Sequence, residues 1–246
     1  TARIGTGTAL DMPTGAIVIS AESSGENTAS ADGEVKAGKV GIGAAAAVVI
    51  GNGSKTGALT NTSVTSATLA RDITAAESLE ISATAERSYD ADAKATAGGG
   101  KEDTATKDVN GEATSSQTLD ETKDSQKGVD TSKGGSKVSV AAAVGVVVAQ
   151  DVVSATLDGV SVSVTGDLKV EASNTTNMAT TGNGQAEDET SKVGVGIGVA
   201  LGIINNTTTA TIADGSKVLQ AGSVTVSTTT AENTDATYAD KLTALA

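Results

Sequence analysis

The chain has 246 residues and a formal net charge of -13, with 29 Gly, one Pro and no His, Cys, Trp or Phe. Tyr89 and Tyr238 are the only aromatics, so no large ring cluster anchors a core, and a zinc site or a Ser-His-Asp relay would lack its usual ligands or base. The acidic balance also excludes a basic stripe for nucleic acid.

Ala2-Arg3-Ile4 opens the chain as an isolated copy of a step that recurs later, which places the start within a repeat. On this reading the sequence is a window from a longer exported chain, whose export signal lies elsewhere. Ile17-Val18-Ile19 follows, flanked by small or polar residues. The stretch Lys39 to Ile50 (KVGIGAAAAVVI) then alternates, with Val40, Ile42, Val48 and Ile50 on one parity and Gly41, Gly43, Ala45 and Ala47 on the other. A period of two gives a strand with a bulky face and a nearly flat one. Repeated Gly, at about 1 kcal/mol each, argues against a helix.

Ala67-Thr68-Leu69 repeats the opening step, and Leu79-Glu80-Ile81 repeats Ile17-Val18-Ile19. A polar insertion then spans Ala97 to Ser136. Lys137 to Val148 (KVSVAAAVGVVV) restarts the pattern, followed by Ala155-Thr156-Leu157 and Leu168-Lys169-Val170. Lys192 to Ile203 (KVGVGIGVALGI), Ala210-Thr211-Ile212 and Val224-Thr225-Val226 complete a further round. Turn residues tolerant of positive φ punctuate the strands at Gly51-Asn52-Gly53, Asp158-Gly159, Asn205-Asn206 and Asp214-Gly215.

The expectation is one repetitive all-β domain over 1–246. Its units run over approximately 1–38 (partial), 39–136 with the insertion 97–136, 137–191 and 192–246. A single unit cannot bury its own apolar face, so units stack in register as a β-solenoid of parallel β-helix type. The flat Gly and Ala faces would let two sheets approach closer than the ordinary ~10 Å. An antiparallel β-sandwich or hairpin array is the alternative. Disorder fits the acidic composition but not these patterned strings.

The alternating Val/Ile strings, the Ala-Thr-Leu step and the Asp167 to Ala172 strand, with their copies, resemble the repeats of giant secreted leukotoxin-like proteins and filamentous, haemagglutinin-like adhesins over nearly the whole chain. The resemblance implies an extracellular or cell-surface, bacterial setting and a stalk of repeated β units acting in adhesion or matrix building. Partners would be other copies, adjacent repeats of a longer chain, or a cell surface or glycan. No catalytic, cofactor-binding or metal residues follow from it.

Candidate chemistry elsewhere has a plainer reading. Asp90 with Asp92, or Glu187 with Asp188 and Glu189, would serve a polysaccharide hydrolase or lyase, yet such charges read first as solvated turns. Gly98-Gly99-Gly100-Lys101-Glu102-Asp103 approaches a calcium nonapeptide once without recurring, leaving calcium at acidic turns as an unspecific alternative cofactor. Gly194, Gly196 and Gly198 lack the helix and later acidic residue of a nucleotide fingerprint. The Thr-rich stretches Asn206 to Thr211 and Thr225 to Thr230 would form ladders for ice or glycan, or simply face solvent. Asn52, Asn61 and Asn174 meet a glycosylation pattern expected by chance. Tyr89 and Tyr238 read as packing or cap residues, and strings of about twelve residues are too short for a membrane helix of ~20. The function expected is therefore a structural segment of an adhesin or filament, not an enzyme, with a surface-binding module for glycan, ice or calcium as the alternative.

Overall fold

The computed structural model describes residues 1–37, 40–51, 63–99, 138–186, 193–240 and 242–244. These form twelve strands: β1 (Ala2–Ile4), β2 (Leu10–Ala37), β3 (Val40–Ile50), β4 (Ser63–Leu69), β5 (Ile73–Gly99), β6 (Val138–Leu157), β7 (Ser161–Val164), β8 (Asp167–Ala186), β9 (Val193–Ile212), β10 (Lys217–Gln220), β11 (Ser223–Asp240) and β12 (Leu242–Ala244). The insertion enters this account only at its first residues, where β5 continues to Gly99, and its remainder lies outside the described residues.

The strands make two six-stranded sheets. The chain alternates between them. In the first sheet β1 pairs with β4, β3 and β4 both pair with β6, and β6 pairs with β9. In the second, β2 pairs with β5, β5 with β7 and β8, and these with β10 and β11. All these pairings are parallel, and only β12 runs antiparallel, along Val193 to Val195 of β9. The fold is therefore all-β with parallel sheets.

Repeat alignment and strand register coincide. Ala2 faces Ala67, Ala67 faces Ala155, and Ala155 faces Ala210. Ile17, Leu79, Leu168 and Val224 form a second row, and Val40, Val138 and Val193 a third. Like side chains stack because each repeat supplies the same residue to the same place. The turns stack as well: Gly159 (φ 64°) and Gly215 (φ 85°) take the left-handed conformation that Gly adopts without strain. There the Gly159 amide donates to Ser216 Oγ at 3.0 Å, and Lys217 N–H to Val160 C=O at 2.9 Å.

The interior has two apolar parts. At the Ala-Thr-Leu end, Leu69, Ile73, Leu79, Ile81, Leu157, Leu168 and Val170 are buried with their neighbours, each large side chain contributing roughly 1.5–3 kcal/mol. At the other end the core thins to Ala91, Ala93, Ala95, Ala97, Ala141 and Ala143 around Tyr89 and Met178. Here the sheets meet almost backbone to backbone. A Cβ at Gly182 would collide with the Val199 carbonyl, one at Gly184 with the Ile197 carbonyl, and one at Gly145 with the Thr181 carbonyl. Tyr89 and Met178, the bulky side chains of this part, lie where Gly51 and Gly202 leave room.

The alternating strings thus turn their Gly/Ala parity inward and their Val/Ile parity to solvent. In β3, Gly41, Gly43, Ala47 and Val49 point in, while Val40, Ile42, Val48 and Ile50 lie 44%, 66%, 53% and 46% exposed.

Candidate functional site

Between the two apolar parts lies a belt of polar side chains. On the first sheet, Asp151 of β6 stands between Ser63 of β4 and Asn206 of β9. Facing it on the second, Gly25, Arg87, Thr176 and Glu232 form one row across β2, β5, β8 and β11. The Asp151 carboxylate, fully buried, accepts from the Tyr89 hydroxyl at 3.0 Å and from the Thr176 hydroxyl at 3.3 Å. Its Oδ1 also lies 3.0 Å from Arg87 Nε. Although that ion-pair distance is short, Nε makes no directed hydrogen bond, so charge rather than geometry binds this pair. The other end of the guanidinium donates to Ser23 Oγ at 2.9 Å. Asn206 Nδ2 extends the belt to Thr176 Oγ1 and Glu232 Oε1, both at 3.0 Å.

Burial, then the Asp151 charge and its hydrogen bond, hold the Tyr89 hydroxyl far above its ordinary pKa, with Arg87 acting in the opposite direction. A buried carboxylate, charge-paired with a guanidinium and hydrogen-bonded by two hydroxyls, is arranged to fix strand register across the two sheets. A charge of this kind opposes any slip that would separate it from its partner.

The open polar feature is a groove of about 400 Å³ on the outer face of the second sheet. Three rows cross four strands there: Val18, Glu80, Lys169 and Thr225; Ser20, Ser82, Glu171 and Ser227; and Glu22, Thr84, Ser173 and Thr229. Ser82 donates to Ser20 at 3.1 Å and Ser227 to Glu171 at 3.4 Å. Hydroxyls and spaced carboxylates of this kind suit a polyhydroxylated ligand. Among the described residues, no three carboxylates converge to hold a metal ion.

Of the residues singled out in the sequence, Asp90 and Asp92 lie on one parity of β5, two residues apart and next to Ala179 and Thr181. No carboxylate stacks beside them on β8. Glu187, Asp188 and Glu189 fall outside the described residues, as do Asn52, Asn61 and Gly100 to Asp103. Asn174 is fully buried, so its glycosylation pattern lies inside the protein. Gly194, Gly196 and Gly198 alternate within β9. The Thr-rich stretches split between the two faces: Thr207 stacks on Val152 and Thr209 on Ser154, and only Thr211 continues a threonine row, through Thr156 and Thr68. Tyr89 is a packing residue, while Tyr238 pairs through its backbone with Gly182.

Sequence reasoning passed over the belt. Its signal was Asp151, a charge at the inward parity of a Val-rich strand between Ala149 and Val153. No helix of the described residues is long and apolar enough to cross a membrane. The chain matches no family model, no curated protein and no solved structure.

Proposed function

We propose that the chain is a β-solenoid segment of an extracellular adhesin or filament, working by elongated shape and self-association and not by catalysis. The observation that carries this reading is the unequal closure of the stack. In the row Ile17, Leu79, Leu168, Val224 the exposures are 6%, 1%, 0% and 49%, and in the row Ile19, Ile81, Val170, Val226 they are 4%, 0%, 0% and 46%. The core rows therefore run out into solvent at β11, beside a backbone edge that is unpaired among the described residues. Another rung, from an adjacent repeat or a second copy, would bury these side chains and pair that edge. The similarity of the repeat motifs to those of large surface adhesins supports a setting outside the cell.

The test is elongation of the purified segment, followed by sedimentation beside the variant Val224→Asp/Val226→Asp, which puts two charges on the open end. Concentration-dependent growth of the wild type, lost in the variant with its β-sheet spectrum intact, is expected. Equal growth of both, or no growth of the wild type, would contradict the reading. The groove on the second sheet favours a second role in glycan binding. Glycan-array binding abolished by Glu171→Ala would support that role.

A further inference from the structure

The outer face of the first sheet is apolar over half its length. Rows such as Ile42, Val140, Val195 and Val48, Val146, Leu201 run across β3, β6 and β9 in register. Every outward position from Val40 to Ile50, Val138 to Val148 and Val193 to Ile203 is Val, Ile, Leu or Ala, and none of the three stretches contains a charge. Ile42 is 66% exposed, Val199 45% and Leu201 48%. The Gln150 and Asn205 row interrupts this face, and after one mixed row, Val64, Val152 and Thr207, it continues with the polar rows Ser66, Ser154, Thr209 and Thr68, Thr156, Thr211.

We infer that this face pairs with the same face of a second copy, joining two stacks side by side. Eleven residues at ~3.3 Å, by three strands at ~4.8 Å, give roughly 500 Å² per copy. A pair then buries about 1,000 Å², the lower bound of a specific interface, and each added rung enlarges it. The stretches 100–137, 52–62 and 187–192 contain only Val109, Leu119, Val129 and Leu59 as large aliphatic residues, so they supply little apolar surface for this face. An uncharged face offers nothing to an ionic partner. A bilayer is disfavoured by the lack of aromatic residues in these three stretches and by a net charge of -13. A face of β-branched side chains with small residues at Ala44, Ala46 and Ala142 offers the same apolar chemistry to a second copy.

The chain contains no Cys, so Ala142→Cys in the middle of the face and Ser82→Cys on the opposite sheet give clean cross-linking probes. Oxidation is expected to link copies through Cys at 142 and not at 82. Light scattering is expected to show side-by-side pairs that Val144→Lys/Ile197→Lys converts to single stacks. The end variant Val224→Asp/Val226→Asp should leave these pairs intact, separating this contact from end-to-end growth. Linkage through 82 alone, or pairs unchanged by the lysines, would overturn the inference. So would flotation of the protein with phosphatidylcholine vesicles in place of pairing.

Discussion

Gly184 and Gly182 carry the closest approach of the two sheets, and they reverse an ordinary rule. In a strand interior Gly costs roughly 0.5–1 kcal/mol relative to Ala, so Gly→Ala would normally stabilise. Here the added methyl meets a carbonyl of the facing sheet. Gly182→Ala is expected to lose about 1–3 kcal/mol by overpacking, measured as a lower denaturation midpoint. Tyr89 supplies a second test at this scale. Its hydroxyl pKa is raised in the folded state, chiefly by burial, so its contribution to stability is complete below the unfolded value of about 10 and is lost as pH rises beyond it. Wild-type stability should therefore fall more steeply above pH ~10 than that of Tyr89→Phe. At neutral pH Tyr89→Phe should cost about 1–3 kcal/mol, because Asp151 loses a donor. A spectroscopic titration in which Tyr89 ionises near pH ~10 with the fold intact would contradict this.

Among the strands, β5, β6 and β8 are paired along both edges for most of their length, whereas among the described residues β11 is paired only on β8. Amide hydrogen exchange is expected to be slowest in β5, β6 and β8 and fastest in β11, in steps from rung to rung. Uniform protection through β11 would count against this. The strands were the most legible part of the sequence, since the aligned strings pair residue for residue from Val40, Val138 and Val193 to Ile50, Val148 and Ile203. Their Gly/Ala parity also announced close sheets. The belt was not legible, because Asp151, Arg87, Thr176 and Asn206 come from four strands, differ in kind and follow no repeat. Nor was the joining of string and step into one strand in β6 and β9, since Gln150-Asp151 and Asn205-Asn206 carry turn-prone residues. Burial between sheets overrode that local preference.

Across the whole molecule, rows of like side chains run through two parallel sheets, those of the second sheet ending half exposed at β11, while half of one outer face stays apolar. Both features point to growth, along the rows at the open end and sideways at the Val/Ile face. The acidic net charge of -13 opposes both contacts, so association should strengthen as salt screens it. The most direct test is electron microscopy with fibre diffraction of the purified segment at neutral pH, with and without calcium. Filaments with a reflection near ~4.8 Å along the axis, assembled in both conditions, are expected. Discrete compact monomers at every concentration and salt level would contradict it.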